Sequence, residues 1–110
     1  MQFVIFHGAY GSPDSNWFPQ LKEQLEDLGQ DVLVPQFPVE DWDHVVAQGE
    51  RYSSPIQNLD NWLATFEKDV LPKLKHDEKL CFIGHSLGPV FILHAMPALT
   101  PRIKIATRSY

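Results

Sequence analysis

Leu80-Cys81-Phe82-Ile83-Gly84-His85-Ser86-Leu87-Gly88-Pro89-Val90-Phe91-Ile92-Leu93 is the stretch on which the fold turns. Four apolar residues run unbroken into Gly84, as in a strand buried on both faces of a parallel sheet, and a second apolar run starts past Gly88. Between them stands G-x-S-x-G, residues 84–88. That pattern specifies a strand-to-helix turn so tight that the serine backbone is strained and the positions two before and two after it have no room for a side chain. Ser86 is then held at the carboxyl end of the sheet, beside a helix N-terminus whose free N–H groups favour a developing negative charge. A bare G-x-S-x-G also fits a glycine-flanked serine that only caps a helix. The strand before it and the helix Val90-Phe91-Ile92-Leu93 after it favour a nucleophile elbow.

Working outward, the chain alternates strand and helix. Phe3-Val4-Ile5-Phe6 is a short apolar run ending in His7-Gly8 and reads as the first strand. Turn residues 11–16 lead into Phe18, Leu21, Leu25 and Leu28 at steps of three and four, a helix over about 17–28 capped by Ser15 or Asn16 and closed by Gly29. Val32-Leu33-Val34, halted by Pro35, is the second strand, and 39–53 lacks a period and reads as an irregular loop with at most a helical turn. Ser54-Pro55-Ile56-Gln57 has the form of a capping box with proline at the first helical position, and Leu59, Trp62, Leu63, Phe66, Val70 and Leu71 then make one apolar face. Pro72 ends or kinks that helix, and Leu80–Ile83 is the third strand. The alternation predicts an α/β fold of three layers, α/β/α, around a parallel sheet with right-handed crossovers. The expected strand order is about 2-1-3-4.

Composition limits the function classes. The 110 residues carry a formal charge of −5, with no basic stripe to neutralise phosphates, so no nucleic-acid partner is expected. Apolar stretches fall short of the roughly 18 residues of a membrane span, and residues 1–6 lack a cationic leader, so a cytoplasmic protein with no membrane partner is expected. One cysteine, Cys81, cannot by itself make a disulfide or a zinc site, and no metal or cofactor is expected. Gly8 and Gly11 after the first strand suggest a nucleotide site only weakly. G-x-G-x-x-G is missing, and Pro35-Gln36 stands where an acidic residue would end the second strand.

His7-Gly8-Ala9-Tyr10-Gly11 follows the first strand and is expected beside the elbow. Backbone N–H groups of Ala9 and of Leu87, the residue after the serine, can form an oxyanion hole there, with His7, Gly8, Gly84, His85 and Gly88 as its support. The alternative is a βα turn whose glycines only supply tight geometry. These residues, together with VLVPQFP at 32–38, Asn61-Trp62 and LCFIGHSLGPVFILH at 80–94, resemble the α/β-hydrolase superfamily. Within it they resemble the small serine hydrolases related to retinoblastoma-binding protein nine and its YdeN-like bacterial relatives. The resemblance implies Ser86 as nucleophile, an oxyanion site at Leu87 and the residue after His7-Gly8, and small esters or amides as substrates. It also implies Trp17 and Trp42 at the mouth of the site, where packing as half-exposed aromatics is an equal reading.

The likeness breaks at the base. In this superfamily the acid and the histidine follow the nucleophile, yet no Asp or Glu follows Ser86 and the one later histidine is His94. Eight residues along a helix is about 12 Å of rise, beyond hydrogen-bond reach. His85 should diverge from Ser86 on the sharp turn, and His44 with Asp41 and Asp43 is a non-standard substitute in the loop. Residues 96–101 should break the helix, and Arg102–Thr107 alternates charge with isoleucine as an edge strand would. The expectation is one truncated hydrolase domain over 1–110, nearly inactive alone, whose open sheet edge invites homo-oligomers. A non-enzymatic interaction protein on a partial hydrolase fold is the alternative.

Overall fold

The computed structural model describes residues 1–75 and 77–98. Three strands, β1 (Gln2–Phe6), β2 (Asp31–Leu33) and β3 (Leu80–Gly84), form a parallel sheet in the order β2-β1-β3. Phe3 lies opposite both Val32 and Cys81, and Ile5 lies opposite Ile83. Parallel neighbours need long crossovers, and helices supply them. Helix α1 (Phe18–Asp27) joins β1 to β2, while α2 (Trp42–Gln48) and α3 (Leu59–Thr65) lie between β2 and β3. Helix α4 (Gly88–Ala95) follows β3 at once and gives way to a 3₁₀ turn at Met96–Ala98, where the sequence predicts a break. The expected fourth strand and its stretch Arg102–Thr107 lie outside the described residues.

Alternation along β1 divides the core. Val4 and Phe6, with Leu80 and Phe82 of β3, face Trp62, Phe66 and Val70 on one side and Phe91, Ile92 and Ala95 of α4, all buried in one cluster. Phe37, from the loop after β2, is fully buried in it and stacks on Trp62 at 4.8 Å and on Phe6 at 5.7 Å. Ile5 points to the other layer, where Phe18 of α1 is also fully buried; Phe3, Cys81 and Ile83 stay half-buried there. Gln2 is buried but satisfied: its Nε2 donates to Lys73 O at 3.0 Å and its Oε1 accepts from Lys75 N at 2.9 Å. That pair fixes the start of the sheet to the segment that leads into β3. No described helix is long and apolar enough to cross a membrane.

The helix starts differ from the sequence reading. Trp17, not Ser15 or Asn16, occupies the cap of α1 without a side-chain hydrogen bond, because Ser15 Oγ accepts from Ser12 N at 3.0 Å instead. The 39–53 stretch contains a two-turn helix, α2, capped by Asp41 Oδ2 accepting from His44 N at 3.2 Å. Ser54 Oγ does accept from Gln57 N, but the chain only bends there, and α3 starts after Asn58, whose Oδ1 accepts from Asn61 N at 2.9 Å. Beyond Thr65 the helix widens into a π turn, Phe66–Val70, and then tightens into a 3₁₀ turn, Leu71–Lys73. Pro72 has no N–H to return and its ring needs space from the carbonyl four residues back, which is where the widened turn lies.

Candidate active site

The β1–β3 ladder continues one residue beyond β3, where His85 N donates to Phe6 O at 3.0 Å. The chain then reverses. Ser86 takes φ +59°, and Gly88 N donates back to His85 O at 2.9 Å. For a residue with a Cβ that left-handed conformation costs roughly 1–2 kcal/mol, so the surroundings must enforce it. A Cβ on Gly84 would stand 2.6 Å from Pro89 N, and one on Gly88 would stand 2.9 Å from Phe6 O. Both glycines are therefore dictated by backbone crowding, and Ser86 itself is exposed.

The loop after β1 passes directly over the serine. A Cβ on Gly8 would lie 2.8 Å from Ser86 Cβ and 3.4 Å from its Oγ. Gly11 N closes a turn onto Gly8 O at 3.1 Å, with Tyr10 at φ +60° inside it. His7 braces this turn from below. It is fully buried, and Phe37 N donates into its Nε2 at 2.9 Å, so the ring proton sits on Nδ1 and is donated to Gly8 O at 2.7 Å. Burial pushes the His7 pKa below its ordinary value, against the opposing pull of the Gly8 hydrogen bond. Trp62 and Phe37 meet its ring edge-on at 5.2 and 5.7 Å. With both nitrogens engaged, His7 is a neutral support and offers Ser86 no free lone pair.

His85 and His44 are placed elsewhere. His85 turns toward α1, its ring edge-on to Phe18 at 5.8 Å and to Trp17 at 6.0 Å. His44, on α2, lies 3.8 Å from Glu40 Oε1 and packs against Tyr52. Glu40 also accepts from Tyr52 Oη at 2.9 Å, and hydrogen bonds from Ser54 and then Tyr52 hold its carboxyl below the ordinary range. This trio fastens the loop between β2 and α3. Asp41 is engaged in capping α2 rather than in orienting the His44 ring. Trp42 is exposed and meets Tyr10 edge-on at 5.1 Å, whereas Trp17 is half-buried against Phe18.

A cavity of about 300 Å³ opens beside the elbow, and Ala9 and Leu87 both stand on its wall, with His94 also among the lining residues. The sequence reading placed Phe37 in the VLVPQFP stretch and Gln57 in a capping box but missed what they do at this loop. Phe37, between Pro35 and Pro38, supplies the amide that fixes the His7 tautomer. Gln57 Oε1 accepts from Tyr10 N at 2.8 Å and ties the loop after β1 to the approach to α3. An apolar residue between two prolines was the available signal for the first; the capping-box pattern pointed the second to the helix start instead of to Tyr10. Among the described residues no three His, Cys, Asp or Glu side chains gather as metal ligands would.

The parallel β2-β1-β3 sheet with its crossover helices has a counterpart among solved structures. The ydeN gene product from B. subtilis superposes with a TM-score of 0.67 at 25% sequence identity, over 96% of this chain and 50% of that one. The fold is α/β-hydrolase-like. The chain spans half the length of the YdeN structure. The sequence matches no protein-family model and no curated protein.

Proposed function

We propose that this chain carries the nucleophile half of a serine hydrolase acting on small esters or amides. One observation carries the reading: Ser86, a residue with a side chain, is held exposed at φ +59° with Gly8 pressed against it. Strain of that kind persists where the surroundings over-determine it, and the exposed serine directly precedes Leu87, which with Ala9 stands on the wall of the cavity. In the proposed reaction Ser86 Oγ attacks the acyl carbon and its proton passes to a base. The carbonyl electron pair moves onto oxygen, where the Ala9 and Leu87 amides stabilise it; collapse expels the alcohol or amine, and water releases the acid.

The base is the weak point. No Asp or Glu follows Ser86, His7 is locked neutral, His44 and His85 face other partners, and His94 stands in the last turn of α4, eight residues beyond the serine. Hydrolases stripped of triad members retain about 10³–10⁴-fold over water from oxyanion stabilisation and binding, so these 110 residues should turn over little. Added imidazole supplies the missing proton acceptor. With p-nitrophenyl acetate, imidazole should raise hydrolysis several-fold more in the native chain than in Ser86→Ala; identical imidazole dependence in the two proteins would refute the reading.

A further inference from the structure

We infer that the groove between α3 and α4 binds an apolar acyl chain, and so makes the substrate class esters of medium-length carboxylic acids. The inference rests on the serine hydrolase reading only for which end of the ligand lies at Ser86. The groove is the cavity already described, walled by Leu59 and Trp62 of α3 and by Val90 and Phe91 of α4, with Ala9 and Leu87 also on its wall. Two of its polar lining residues are already committed. Asn58 uses Oδ1 to cap α3 and Nδ2 to bond Ser54 O at 3.1 Å, while Gln57 Oε1 accepts from Tyr10 N. The surface left for a ligand is largely apolar, and its lining also includes His94 and the two residues proposed as oxyanion donors, Ala9 and Leu87. A carboxyl or ester head belongs at the amides, and a hydrocarbon tail belongs between the helices.

Size narrows the class. A dry cavity of about 150 Å³ accepts benzene, so about 300 Å³ has room for a chain of roughly six to eight carbons. Leu59 and Val90, 43% and 53% exposed, form an apolar rim that water reaches when the groove is empty. Each methylene moved from water into such a groove strengthens binding about fourfold until the space is filled.

Calorimetric titration of the full chain with sodium butyrate, hexanoate and octanoate tests this without requiring any reaction at Ser86. Affinity should climb about fourfold per methylene, and should fall at least tenfold for octanoate in Val90→Trp, which fills the groove. Leu59→Asp should weaken octanoate similarly by placing a carboxylate on the wall, in a first helical turn where it is compatible with folding. Equal affinity across the three acids, or octanoate binding untouched by both folded variants, would overturn the inference. Octanoate bound with the predicted preference by a chain whose Ser86 proves inert would preserve the groove and reject the hydrolase. A reactive Ser86 with no chain-length preference would do the reverse.

Discussion

Ser86 concentrates the physical cost of the site in one pair of dihedral angles. Glycine at 86 would adopt φ +59° without a Cβ penalty, whereas alanine keeps the penalty and loses only the hydroxyl. Ser86→Gly should therefore be more stable than Ser86→Ala by about 1 kcal/mol in urea denaturation. Equal midpoints would mean that the turn relaxes and holds no strain. At this scale the sequence was highly informative, because Gly84 and Gly88 sit where only hydrogen fits and Gly8 sits where the serine leaves no room. His7 was legible only as loop support. Its tautomer depends on an amide thirty positions away, that of Phe37, and no local pattern announces such a partner.

Elements were legible where hydrophobic period decides them and less so where side-chain caps do. β1 and β3 are continuous apolar runs, and the Trp62, Phe66, Val70 spacing is that of one buried helical face. The cap of α3 shows the limit. Ser54-x-x-Gln57 has the capping-box form, but Gln57 is drawn to Tyr10 N, and Asn58 four residues on takes the capping role. Asn58→Ala should cost about 0.5–2 kcal/mol and lower the helical signal in far-ultraviolet circular dichroism. A larger helical loss in Ser54→Ala than in Asn58→Ala would reassign the start of the helix. The helix α2 was hidden because none of its residues is buried, so no apolar face marked it. Its start depends on Asp41 and its surroundings on the Glu40, His44 and Tyr52 contacts.

At the scale of the molecule, the two sheet faces are unequal. The face bearing Val4, Phe6 and Phe82 is closed by α3 and α4 over an aromatic core, and that closure holds Phe37 and His7 beneath the loop that crosses Ser86. On the opposite face Phe3, Cys81 and Ile83 remain half-buried, in a chain that spans half the length of the YdeN structure it resembles. Sequence periodicity anticipated the alternation of strands and helices, and the described sheet matches the first three positions of the expected order 2-1-3-4. It could not show the groove beside Leu87, which arises where Trp62, Phe91 and Val90 meet across two helices. The central claim, that this architecture delivers a reactive hydroxyl at position 86, is tested most directly by treating the chain with an alkyl fluorophosphonate in the presence of imidazole and mapping the adduct by peptide mass spectrometry. One adduct on Ser86, absent from Ser86→Ala, is the result predicted; no adduct at Ser86, or modification spread over other hydroxyls, would contradict it.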